Sequence, residues 1–94
     1  MIYVGIDVAK DKHDCFITNS DGEVLFKPFT ISNRREGFEI LFQRIRTVSE
    51  DLTKVKVGLE ATGHYSYNLL GFLLDNGLPT FVSIRYIPIF TEKV

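Results

Sequence analysis

Lys54-Val55-Lys56-Val57-Gly58-Leu59-Glu60 alternates polar and apolar residues and then runs Val57-Gly58-Leu59 into an acid. A short apolar run of this kind predicts a strand over Lys54–Leu59, buried on both faces. Its neighbours on either side have a different period. Upstream, Phe38, Leu41, Phe42, Ile45 and Val48 recur at helical intervals behind Asn33 and Glu36, which have the spacing of a capping box. Downstream, Tyr65, Leu69, Phe72 and Leu73 define a second amphipathic helix, closed by Asn76-Gly77 with Pro79 beyond it. Thr80–Val82 then begins another strand. A strand reached through one helix and left through another must lie parallel to its neighbours, with right-handed connections.

The first third of the chain is all β. Ile2–Ile6 is a β-branched run ending in an acid, and Lys12–Asn19 follows with His13, Cys15 and Ile17 on one face and Asp14, Phe16 and Thr18 on the other. Ser20-Asp21-Gly22 supplies turn chemistry before Val24–Phe29, where Pro28 confines that strand to an edge because it has no N–H for a ladder. The order is therefore β-β-β-α-β-α-β, an α/β fold with a mixed sheet of the ribonuclease H-like architecture. That core serves nucleases, transposases and, duplicated, the actin-like ATPases, so the fold alone does not choose a function.

With 94 residues, 45% of them hydrophobic, the chain suffices for one core and not for two. Charged residues make up 24% and the net charge is −1, which argues against disorder and against a uniformly basic surface. The balance is uneven: residues 1–33 carry −2, and residues 34–56, with Arg34, Arg35, Arg44 and Arg46, carry +2. Such a run is either a solvated helix face or a stripe that contacts phosphates. No apolar run approaches the roughly 18 residues of a membrane span, and Met1 leads directly into the first strand without a basic leader. A cytoplasmic protein with no membrane partner is expected. The single cysteine, Cys15, excludes an intrachain disulfide and a cysteine-based zinc site and is expected to be an inert core thiol.

Two strands end in nearly the same words, Val4-Gly5-Ile6-Asp7 and Val57-Gly58-Leu59-Glu60. If these strands are parallel neighbours, both carboxylates emerge at the C-terminal edge of the sheet, where open α/β sheets place their sites. Paired carboxylates suit a hard cation such as Mg²⁺ or Mn²⁺, and two such ions can serve both the attacking and the leaving oxygen in phosphodiester chemistry. An acid at a strand end is also simply where a strand meets water; the shared context of the two favours the metal site. Thr62 and His64 follow Glu60 at the start of the second helix. Thr62 is a cap or a substrate contact, and His64 is a phosphate contact, an acid-base group or a loop residue without a role. Lys10 and Lys12 sit in the first hairpin turn, solvated or against a nucleic-acid backbone.

Gly5-Ile6-Asp7-Val8-Ala9-Lys10-Asp11, Asp21-Gly22, Gly58-Leu59-Glu60-Ala61-Thr62-Gly63-His64-Tyr65 and Gly77-Leu78-Pro79 together resemble the N-terminal domain of the DEDD transposases, the bacterial insertion-sequence enzymes of the IS-one-ten group. The catalytic domain of that group is similar to the Holliday-junction resolvase, or RuvC-like, fold. The resemblance covers residues 1–82, with 83–94 as a divergent or truncated tail. It implies that Asp7 and Glu60 are the first two acids of a metal-binding tetrad. It also implies Mg²⁺, DNA strand exchange, a structured guide RNA and a second domain carrying a serine nucleophile.

The family's last two acids lie in a Lys-Thr-Asp-Lys-x-x-Asp-Ala-like stretch, where this sequence has Ser83-Ile84-Arg85-Tyr86-Ile87-Pro88-Ile89-Phe90. A catalytically incomplete transposase fragment that holds metal weakly is therefore expected. Its apolar tail is expected to fold back on the sheet or to drive a homodimer. Two other functions compete: half of an actin-like sugar kinase or ATPase, disfavoured because Asp7-Val8-Ala9-Lys10 lacks the glycine that lets a backbone approach phosphate, and a non-catalytic nucleic-acid or protein interaction module.

Overall fold

A computed structural model describes residues 1–61 and 64–84, the side chain of Ile84 excepted. Its elements are β1 (Ile2–Asp7), β2 (Lys12–Asn19), β3 (Val24–Ser32), α1 (Arg35–Val48), a 3₁₀ turn (Leu52–Lys54), β4 (Val55–Ala61), α2 (Tyr67–Asp75) and β5 (Thr80–Ile84). The strands form one mixed sheet in the order β3-β2-β1-β4-β5. β1, β2 and β3 make an antiparallel meander, whereas β1–β4 and β4–β5 are parallel. The expected α/β fold and element order are therefore present. Pro28 does lie on an edge strand, as its missing donor requires.

One parity of residues is buried on every central strand: Val4 and Ile6 on β1; His13, Cys15 and Ile17 on β2; Val55, Val57, Leu59 and Ala61 on β4. These side chains share one core with Phe38, Leu41 and Ile45 of α1 and with Leu69 and Leu73 of α2. Both helices therefore cover the same face. Each fully buried leucine or isoleucine here contributes about 2 kcal/mol of transfer free energy. On the other parity Tyr3, Asp7, Phe16, Lys56, Glu60 and Phe81 are exposed. This corrects the expectation that β4 is buried on both faces: Lys56, Gly58 and Glu60 look out from a side that no described helix covers.

Two local expectations also change. Asn33 does not cap α1, whose cap position is Arg34 without a side-chain cap bond. The Asn33 amide instead donates from Nδ2 to the Lys10 carbonyl at 2.8 Å, and its backbone N–H donates to the Asp11 carbonyl at 2.9 Å. A bond to another loop has displaced the local one. Tyr65 lies in a turn before α2 and is exposed, so it is not part of the helix's apolar face. The end of α2 follows its sequence: Gly77 takes φ +80°, the Leu78 N–H returns to the Leu73 carbonyl at 3.0 Å, and Leu78 itself is buried. That is a glycine-terminated helix with its hydrophobic clasp.

Cys15 is 1% exposed, and burial, with some help from Asp14, pushes its thiol up to about 12 from an ordinary 9.0. The thiol thus stays neutral in the fold while the unfolded chain ionises above about pH 9, so this group's stabilising effect is lost as pH rises from about 9 toward 12. Disulfide-exchange labelling at neutral pH is expected to be slow in the native protein and complete in denaturant. Fast native labelling would show that β2 opens locally.

Candidate metal centre

β1 and β4 are parallel and in a register that pairs Val4 with Val57, Gly5 with Gly58, Ile6 with Leu59 and Asp7 with Glu60. The two acids are therefore direct neighbours at the C-terminal edge, on strands about 4.8 Å apart. Beyond them the Val8 N–H donates to the Glu60 carbonyl at 2.9 Å, extending the pairing by one residue. Both side chains lie on the uncovered face, at the rim of a groove of about 370 Å³ floored by Gly5 and Gly58 and walled by Phe16. The Phe16 ring lies directly over Gly5, so a Cβ there would have to displace that exposed ring. Gly58 has open space above it.

The same register extends the row of oxygen-bearing side chains. Asp14 stands opposite Asp7, Thr30 opposite Asp14, and Ser83 opposite Glu60. The Thr30 hydroxyl donates to Asp14 Oδ1 at 2.9 Å. Asp14 was not legible as a member of this row because its sequence neighbours, His13 and Cys15, belong to the core. Among the described residues no three His, Cys, Asp or Glu side chains converge on a single point that could hold a metal ion. The donor set present is a pair of carboxylates with only oxygen chemistry around it. That suits a hard cation, held partly by water, and does not suit zinc.

The basic residues divide into two groups. Asn33 ties the β3–α1 junction to the loop between β1 and β2, and so brings the backbone of Lys10 and Lys12 beside that of Arg34 at the acid-bearing end of the sheet. Arg34 and Arg35 also line a cleft of about 450 Å³ between α1 and α2, together with Tyr67, Asn68 and Asp75. Arg35 lies 3.5 Å from Glu39 and 5.7 Å from the centre of the Phe72 ring. Farther along α1, Arg44 stacks 4.2 Å over Phe29 and 5.5 Å from Phe26, and Arg46 rests 5.7 Å over Phe42. These two side chains pack on aromatic faces of their own protein and stand apart from the acid edge.

His64 is exposed in the turn before α2, its ring 4.9 Å from Tyr65 and 6.2 Å from Tyr67. Thr62, and the apolar tail with Tyr86, Ile87, Ile89 and Phe90, lie outside the described residues, as does the side chain of Ile84. His13 is fully buried, accepts the Ala9 N–H at Nδ1 over 3.2 Å and stacks on Phe38. Burial holds its pKa below the ordinary value, against weaker opposing effects of Asn33 and Asp14.

Residues 4–88 match the transposase family of the DEDD type, the IS-one-ten group, a stretch that contains both acids and every strand from β2 to β5. The chain belongs to this transposase family. No curated protein matches it in sequence. Solved structures share its fold at low identity. A protein of Bacteroides thetaiotaomicron with an actin-like ATPase fold and unknown function is 17% identical over 87% of this chain and 32% of its own, with a TM-score of 0.57. Pelota of Archaeoglobus fulgidus is 14% identical over 99% of this chain and 31% of its own, with a TM-score of 0.56. The transposase chain thus spans about a third of the length of these two structures, and the likeness is one of fold. No helix among the described residues is long and apolar enough to cross a membrane.

Proposed function

We propose that this chain is the strand-edge platform of a DNA transposase, and that Asp7 and Glu60 are the first two carboxylates of a Mg²⁺- or Mn²⁺-dependent phosphodiester site. The observation that carries this reading is the register pair Asp7–Glu60, at the C-terminal edge of adjacent parallel strands within the family-matched stretch. When bound, the metal would supply charge neutralisation at the phosphate and an activated oxygen nucleophile. The chain's own contributions are two anionic oxygen ligands at adjacent strand ends and, at Gly58, an open stretch of sheet beside them that a substrate can approach closely. Lys10, Lys12, Arg34 and Arg35 offer a basic corner at the same end for the phosphates of DNA or of a guide RNA. With two acids in place the site is half-built: the ligand charge is −2 against +4 for two ions. Weak metal binding and no strand cleavage by the chain alone follow from this.

A titration followed by NMR tests the proposal. Mg²⁺ is expected to shift amide signals around Asp7 and Glu60, and Mn²⁺ to broaden the same signals, with a dissociation constant in the millimolar range. Changes spread over all exposed acids, or confined to the Asp21–Glu23 turn, would overturn it.

A further inference from the structure

The loop between β1 and β2, residues 8–11, is tied down at every residue, although it has no regular structure of its own. Val8 is held by the Glu60 carbonyl, Ala9 by His13 Nδ1, Lys10 by Asn33 Nδ2 and Asp11 by the Asn33 N–H. Two of the four ties come from polar side chains, the buried His13 and the half-buried Asn33. His13 is 0% exposed. Because Nδ1 accepts from Ala9, the ring's proton sits on Nε2, and this donor is buried with no partner among the described residues. Asn33 Oδ1 is likewise buried without a close partner, and the Asn33 side chain is near enough to His13 to raise its pKa against the effect of burial. A core position that needed only volume would take a leucine or phenylalanine and avoid this desolvation. The Phe38 ring lies alongside, 6.4 Å away between ring centres and within 14° of parallel.

We infer that His13 and Asn33 are positioning residues for Asp7, fixing through the 8–11 loop where the first carboxylate stands relative to Glu60. The inference rests on the proposed metal site. Asp7 is the last residue of β1, so beyond it the chain is held by the Val8–Glu60 bond and then by the ties of Ala9, Lys10 and Asp11 to His13 and Asn33. Released loop ties would leave the carboxylate on a fraying strand end, and a weak two-ligand site depends on both ligands being held in place before the ion arrives.

The test uses the chain with three substitutions. His13→Leu keeps the volume and removes the acceptor. His13→Asn keeps an acceptor close to where Nδ1 lies. Asn33→Ala cuts the Lys10 tie from the other side. Two readouts are taken, amide hydrogen exchange at residues 8–11 and Mn²⁺ broadening at Asp7 and Glu60. In His13→Leu and Asn33→Ala, exchange in the loop is expected to quicken at least tenfold and the apparent Mn²⁺ affinity to fall severalfold, while His13→Asn recovers most of both. If His13→Leu does not fold, Asn33→Ala and His13→Asn decide alone. A wild-type chain silent to Mn²⁺ would overturn the metal-site reading and this inference with it. A responsive wild type with equally responsive Leu and Ala variants, or with no recovery in His13→Asn, would overturn this inference and leave the metal site standing.

Discussion

Gly37→Ala is expected to destabilise the domain by about 2 kcal/mol and lower its melting temperature by roughly 10 °C. Helix propensity alone predicts the opposite, a gain of up to about 1 kcal/mol, because residue 37 lies inside α1. Packing reverses the sign. A Cβ at position 37 would collide with the carbonyl oxygen of Ser32 and sit 2.6 Å from its hydroxyl and 2.7 Å from its backbone nitrogen. Two of those three atoms are backbone at the end of β3, and they cannot swing away as a side chain would. The junction is also fixed by Asn33 to the loop carrying Lys10 and Asp11. A close helix–strand approach therefore depends on this glycine, and thermal or urea denaturation reads the effect directly. A variant as stable as the parent would mean that the β3–α1 turn can move as a unit, and the tie through Asn33 would then hold nothing rigid.

The second large effect is at the acid row. Asp7→Asn is expected to abolish the divalent-ion response while raising the melting temperature by a few degrees. Asp7 stands between Asp14 on one neighbouring strand and Glu60 on the other. Like charges directly opposite each other on adjacent strands destabilise a sheet by about 0.2–1 kcal/mol each, so removing the central charge relieves two such pairs. The opposite signs identify a residue held in place for binding at some expense of stability. A scan of melting temperature against Mg²⁺ concentration for parent and variant measures both quantities together. Parallel curves would show that Asp7 holds no ion, and a lower melting temperature in the variant would show that the carboxylate is a structural partner.

The architecture was legible in the sequence because each strand and helix carries its own period, and because Val4-Gly5-Ile6-Asp7 and Val57-Gly58-Leu59-Glu60 repeat each other closely enough to imply neighbouring strands. What was not legible depends on contacts between distant residues. Asn33 and Glu36 have capping-box spacing, but the spacing says nothing of the Lys10 carbonyl 23 residues upstream, which takes the amide instead. Gly58 fills an outward position on β4 without a polar group, so the alternation of that strand looked like continuous burial. Arg44 carries an ordinary surface charge in the sequence, yet its partners are Phe26 and Phe29 on β3. Tyr65 sits at a helical interval from Leu69 although the helix begins at Tyr67.

β1 comes first of the five strands in chain order and is the central strand of the sheet. Its partner β2 follows across a four-residue loop, while its other partner, β4, pairs Val57 with Val4 from 53 residues away. Closing a loop of that length carries more entropy loss than closing a hairpin, and non-local parallel pairing is slow for the same reason. The meander can therefore form while the rest of the chain is still emerging from the ribosome, and β1 then waits with one edge open until β4 arrives. Asp7 and Glu60 meet only when β4 docks. The acid pair thus reports that this long-range pairing has formed: a chain with only its meander folded carries Asp7 without its partner beside it.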